Sequence, residues 1–212
     1  MKTIKLNVLT VFVLFLASCG SNDDDSVNVI EVESNTVTNL HAPQQGGQGQ
    51  PISGVFTKFD FATGQVTTSE SEWDIAFRGT TIAVNGGTST GTVDEPARNG
   101  QASAAIVTGT FASVTQAPSE TEFSQDGTEG FAIPTGSDAG WYNYNFATNL
   151  ITPIPGKVLV FKTRNGNYAK VEILSYYEDA PAQPDPNVDA GRYYTFNYVY
   201  NPNGGQNTFT NE

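Results

Sequence analysis

Apolar residues along most of this chain recur at every second position, the period of a strand with one face buried. Val55 to Phe61 is rich in aromatic and β-branched residues, and Gly64 sits in a turn before Gln65-Val66-Thr67-Thr68. Trp73 to Val84 alternates through Trp73, Ile75 and Phe77, runs on to Ile82 and Val84, and stops at Asn85-Gly86-Gly87. Gly79 inside that run marks a bulge. Ala104 to Val114 forms a further strand. The sharpest local signal is Lys157 to Tyr176, where two β-rich runs flank Arg164-Asn165-Gly166-Asn167; Asn-Gly predicts a hairpin closed by a type I′ turn. A Pro-rich loop from Glu178 to Asp189 follows. Tyr193 to Tyr200 then reads as a strand with Tyr194, Phe196, Tyr198 and Tyr200 on one face, a core-forming pattern. Asn203-Gly204-Gly205 turns the chain towards a last strand at Thr208 to Thr210. Ser119-Glu120-Thr121-Glu122 has the form of a capping box and predicts one short helix. No long 3.6-residue apolar pattern interrupts these strands. The expected fold is all-β, antiparallel, with at most one or two short helices.

The first 50 residues read differently. Lys2 and Lys5 precede an apolar run of twelve residues, Leu6 to Ala17, long enough for a secretory signal and too short to span a bilayer. It ends in Leu16-Ala17-Ser18-Cys19-Gly20, which resembles a bacterial lipobox. That resemblance implies cleavage before Cys19 and a lipid on its sulfur. Cys19 is the sole cysteine, so no intramolecular disulfide competes for it. Ser21-Asn22-Asp23-Asp24-Asp25 resembles the surface-export signal of Bacteroidota lipoproteins. Val27 to Val32 alternates and suggests a strand. From Asn35 to Gln50 the chain is polar and reads as a flexible linker. The expected organisation is a signal peptide over 1–18, a lipidated tether and linker over 19–50, and one β domain over 51–212.

Charge narrows the function classes. Without the signal, eight basic residues stand against 22 acidic ones, a formal charge of −14, which repels nucleic acid and anionic headgroups. Catalytic signals are scarce. His41, the only histidine, falls in the expected linker; a Ser-His-Asp or Cys-His arrangement would have to recruit it, and a His- or thiolate-ligated zinc site has too few donors. Asn85 to Gly91 is Gly-rich but lacks the Gly-Lys-Ser/Thr end of a phosphate loop. Asp185 to Gly191 resembles part of a calcium loop with its glycine one place late. A non-enzymatic role without a catalytic metal is expected. Trp141-Tyr142-Asn143-Tyr144-Asn145-Phe146 mixes rings, hydroxyls and amides in one stretch and stands out as a candidate ligand-binding segment.

Four blocks occur in an order that resembles the HmuY family of haem-binding lipoproteins. They are Trp73-Asp74-Ile75-Ala76-Phe77-Arg78, Asn85-Gly86-Gly87-Thr88, Val160 to Val171, and Tyr194 to Tyr200. The resemblance implies a twisted antiparallel β fold with hairpin fingers that hold haem or another tetrapyrrole. It also implies lipid anchoring in the outer membrane, at the cell surface, and delivery of haem to a TonB-dependent receptor. Family members that bind haem use paired histidines or methionines as axial ligands. This chain has no histidine after His41 and no methionine after Met1. Tyr142 and Tyr144 are then the candidate iron ligands, with Trp141 beside them. The alternative is a module of the same fold that has lost haem and binds another ligand or partner.

Overall fold

The computed structural model describes residues 29–47 and 49–211. The signal peptide, Cys19 and the acidic tether lie outside the described residues. The strands, in chain order, are β1 (Glu33–His41), β2 (Gln45–Gly47), β3 (Gln50–Ser53), β4 (Thr57–Asp60), β5 (Gln65–Thr67), β6 (Ile75–Arg78), β7 (Thr81–Val84), β8 (Ser103–Thr108), β9 (Tyr142–Asn145), β10 (Leu150–Pro153), β11 (Lys157–Lys162), β12 (Tyr168–Tyr177) and β13 (Gly191–Asn201). The described helical content is one turn of 3₁₀ helix, Glu120–Glu122. There the Glu122 carboxylate accepts from the Ser119 N–H at 3.2 Å, the reciprocal bond that the capping box predicted.

The strands form a five-stranded sheet in the order β1-β13-β12-β11-β8 and a four-stranded sheet in the order β5-β4-β6-β7; β9-β10 and β2-β3 are separate hairpins. All strand pairings are antiparallel. The two larger sheets share one core. Phe59, Phe61, Phe77 and Ile82 from one meet Phe161, Val171, Tyr194, Phe196 and Tyr198 from the other. Alternation decides which residues enter it: Leu159 and Phe161 point into this core, whereas Val158 and Val160 face a second cluster with Val114, Tyr168 and Phe209. Most rings pack edge-on or tilted, as in Phe59 on Phe196 at 5.6 Å and Phe61 on Tyr198 at 5.7 Å, while Phe77 stacks on Phe196 at 5.8 Å.

Several expectations change in detail. Glu33–His41 is not linker but an edge strand of nine residues paired along β13, from Glu33 opposite Tyr200 to His41 opposite Tyr193. Its polar side chains face water, and only Leu40 is buried. Backbone pairing and side-chain bonds such as Thr36 to Asn197 at 2.7 Å replace the missing apolar periodicity. The strand suggested at Val27 to Val32 does not form over residues 29–32. Instead Asn203 brackets Ile30, accepting from its N–H at 2.8 Å and donating to its C=O at 2.7 Å, and Asn211 accepts from the Val32 N–H at 2.7 Å. Trp73 to Val84 is two strands: Gly79, at φ +55°, and Thr80 form a tight turn that pairs Arg78 with Thr81. The Lys157 to Tyr176 hairpin is present with a different turn. Only Gly166 takes positive φ (+84°), and Thr163 and Asn167 exchange bonds across a three-residue loop. Thr208 makes a single bridge to Gln116 rather than a strand.

Candidate functional site

At the His41 end of the five-stranded sheet, the β9-β10 hairpin, the β6-β7 turn and the β2-β3 hairpin converge. Between them lies a groove of about 430 Å³ lined by Gln44, Thr80, Tyr144, Ile151, Tyr176 and Arg192, with Gly46 and Gly47 at its rim. The volume lies within the usual span of small-molecule sites, about 300–1,000 Å³.

Each wall has a local cause. Tyr144 pairs with Ile151 across the hairpin, which places an aromatic ring and a branched aliphatic side by side. The Ile151 N–H donates to the Tyr177 hydroxyl at 3.0 Å, tying the hairpin to β12. The Tyr144 hydroxyl donates to Asn149 Oδ1 at 2.6 Å, and Phe146 meets the Tyr144 ring edge-on at 4.8 Å while itself 81% exposed. On the opposite wall the β12–β13 register breaks. Ser175 faces Thr195 and Tyr177 faces Gly191, so Tyr176 stands opposite three residues, Arg192 to Tyr194. Such a bulge re-aims side chains next to a site. Arg192 adopts φ +72°, and its Nη1 donates to the Gln44 carbonyl at 2.7 Å. Burial pushes the Tyr176 hydroxyl up to about 12, against the opposing pull of the Arg192 charge. Tyr176 is therefore a neutral phenol at physiological pH, able to donate a proton in a hydrogen bond.

Of the three residues singled out in the aromatic segment, Tyr144 alone lines the groove. Tyr142 is buried behind it, its hydroxyl 3.4 Å from Thr80 Oγ1. Trp141 is 2% exposed, packs against Tyr142, Tyr176 and Tyr194, and donates Nε1–H to the Thr80 carbonyl at 3.0 Å. The two form the floor support on which the lining residues stand. Sequence reasoning missed Gln44, Thr80, Ile151, Tyr176 and Arg192. Tyr176 and Arg192 flank the Pro-rich loop, and that proximity in sequence is the one signal that could have found them.

His41 lies on β1 rather than in a linker. Its exposed ring stacks on Tyr193 at 4.5 Å, along a separate groove with Leu40, Phe59 and Val66. Among the described residues, no group of three or more His, Cys, Asp and Glu could hold a metal ion. In the Asp185 segment the carboxylate of Asp185 accepts from the Asn187 N–H at 2.9 Å, and that of Asp189 from the Asp185 N–H at 2.7 Å.

The Gly-rich segment is a folded loop. Asn85, fully buried, donates to the Trp73 carbonyl at 2.8 Å and accepts from the Asn99 N–H at 2.7 Å. A Cβ on Gly86 would lie 1.9 Å from the Ala102 carbonyl oxygen, so only glycine fits. Glu95 closes the loop. Its carboxylate accepts from Ser89 Oγ at 2.9 Å, from the Thr90 N–H at 3.0 Å and hydroxyl, from the Thr92 N–H at 3.0 Å and hydroxyl at 2.6 Å, and from Arg98 Nη2 at 3.0 Å. Elsewhere Arg164 pins the β11-β12 turn to the four-stranded sheet through Asp60 at 2.8 Å, Asp74 at 3.1 Å and Glu72 at 2.9 Å.

No curated protein matches the chain. Solved structures similar to it include three from Bacteroidota. The apo HmuY analogue of Tannerella forsythia has a TM-score of 0.45 at 15% identity, covering 83% of this chain and 100% of its own. A Bacteroides fragilis protein described as a lipoprotein has a TM-score of 0.47 at 15% identity, covering 82% of this chain and 94% of its own. A Bacteroides vulgatus protein described as an HmuY-like haem-binding protein has a TM-score of 0.47 at 16% identity, covering 82% of this chain and 93% of its own. The HmuY protein family model matches residues 54–198, from before β4 into β13, and the chain belongs to the HmuY family.

Proposed function

We propose that this protein is a lipid-anchored, non-enzymatic binding protein that takes up haem or another tetrapyrrole in the groove between the β9-β10 hairpin and the start of β13. The observation that carries the reading is the groove itself. Tyr144, Ile151 and Tyr176 set two aromatic rings and a branched aliphatic among the polar Gln44, Thr80 and Arg192, a surface on which the face of a flat ring system can pack while its polar edge meets donors. Membership of a family of binding proteins supports the same direction. Tyr144 makes the ligand contact, while Tyr142 and Trp141 hold the wall from behind.

The donor set fits the body of a macrocycle better than it fits the family's usual iron ligation. No histidine or methionine lines the groove, and the phenol oxygen of Tyr144 is the candidate axial donor. That same lining favours a second reading, in which the groove takes a flat ligand other than haem. Haem titration separates the two. With the chain carrying Cys19→Ser, haem should give a shifted Soret band that weakens when Tyr144 is replaced by alanine. No shift in either redox state at micromolar haem would sink the haem reading and leave the second. A lipid on Cys19, display at the cell surface and hand-over to a TonB-dependent outer-membrane receptor complete the proposal. Cys19→Ser should move the protein from the membrane to the soluble fraction; persistence in the membrane would remove the anchor from this account.

A further inference from the structure

We propose that Arg192 is the carboxylate-recognition residue of this groove, so that its ligand carries an acid group beside the part that packs on Tyr144 and Ile151. The proposal rests on the groove being the ligand site. Its starting point is charge. The chain has 22 acidic residues against 10 basic ones, yet no acidic residue lines the groove, and Arg192 is its one formally charged lining residue. The other arginines are committed. Arg98 bridges Glu95 and Asp126, and Arg164 bridges Asp60, Glu72 and Asp74. Arg78 is buried over the Phe56 ring and donates to the Gly54 and Val93 carbonyls. Arg192 makes no ion pair among the described residues, and its bonds to the Gln44 carbonyl and to the Tyr176 hydroxyl leave further N–H donors of its five free.

Backbone placement is the second observation. Seven non-glycine residues in the described chain take positive φ, and five are Asn or Asp, the types that tolerate it. Arg192 is one of the two that are not, and it sits at the bulge opposite Tyr176. The bulge lifts its side chain out of strand alternation and sets it on the groove beside the neutral Tyr176 hydroxyl. A guanidinium with a phenol donor beside it matches a carboxylate, which accepts in two directions at once. The remaining lining is uncharged and includes the rings of Tyr144 and Tyr176 and the side chain of Ile151, so the acid group pairs with Arg192 while the body of the ligand packs on those side chains.

The test compares haemin with its dimethyl ester, which keeps the macrocycle and iron but has no free carboxylate. Soret titrations of the Cys19→Ser chain should show haemin bound at least about tenfold more tightly than the ester, the scale of one hydrogen-bonded charge pair. The preference should shrink with added salt. Arg192→Lys should keep part of it, and Arg192→Gln should abolish it. Arg192→Gly removes the charge and also relieves the positive φ, so it should fold at least as well while showing no preference. Equal binding of acid and ester by the parent chain, or a preference that survives in Arg192→Gly, overturns the role of Arg192 and leaves tetrapyrrole binding standing. Failure of both ligands to bind overturns the proposed function and this inference together.

Discussion

Replacing Glu95 by glutamine changes one atom of the side chain and should destabilise the protein by about 3 kcal/mol. Six donors converge on this carboxylate, three on each oxygen, and the side chain is 3% exposed. Glutamine keeps one acceptor oxygen and turns an NH₂ group towards the other three donors. Three hydrogen bonds are lost at about 1 kcal/mol each net, and the charge that strengthened the rest disappears, offset in part where the loop opens to water. For a domain of this size about 3 kcal/mol corresponds to a Tm lower by roughly 6–12 °C. Urea unfolding at neutral pH followed by intrinsic fluorescence measures it. The pH dependence gives an independent check. Burial alone would raise the Glu95 pKa, but the donors from Thr90, Thr92 and Ser89 outweigh it and hold the carboxyl down at about 2. A carboxyl depressed in the folded state adds stability above its unfolded value near 4.5, and that contribution is lost as pH falls towards 2. The gap between parent and variant should therefore narrow below pH 4.5. A variant within about 0.5 kcal/mol of the parent at pH 7, the scatter of neutral surface changes, or a gap that widens in acid, refutes the reasoning.

Two further outcomes follow from the packing. Asp74→Ala strands the Phe61 and Arg164 N–H groups, each bonded at 2.9 Å, and leaves the buried Arg164 short of one counter-charge; a loss of about 3–5 kcal/mol in urea unfolding is expected. Trp141→Ala should cost about 3–5 kcal/mol as a core truncation, whereas Phe146→Ala, at the tip of the same hairpin, should stay within about 0.5 kcal/mol of the parent. Thermal melts of the pair would expose the error if the two variants behaved alike.

The strands that could be read from the sequence are those whose inward residues are large and regularly spaced. β11, β12 and β13 carry Leu159, Phe161, Val171, Tyr194, Phe196 and Tyr198 on one face, and each lies in the main core. The two strands within Trp73 to Val84 merged in the reading, although the parity of the pattern shifts from Ile75 and Phe77 to Ile82 and Val84. A two-residue turn produces that shift, because it pairs Phe77 with Ile82. β1 was hidden for the opposite reason. An edge strand needs little burial, and its sequence Glu-Ser-Asn-Thr-Val-Thr-Asn-Leu-His resembles a linker until its backbone pairing with β13 is seen. In the candidate site, Tyr144 was legible as an aromatic in a mixed polar segment. Arg192 was not, because its place in the groove comes from a bulge and a positive φ that leave no repeating pattern.

The arrangement of β1 also governs how the domain answers force. Asn203 and Asn211 grip the backbone at Ile30 and Val32, and β1 then runs nine residues along β13, roughly 30 Å at about 3.3 Å per residue. The N-terminal side enters at Tyr200, and the candidate groove lies at the other end, beside Arg192. Tension between the N-terminal segment and a partner holding the groove end is directed along the strand, so the hydrogen bonds of the β1-β13 ladder share the load instead of parting one by one. An edge strand that looks dispensable in composition thus lies in shear between the N-terminal segment and the end of β13 that carries Arg192.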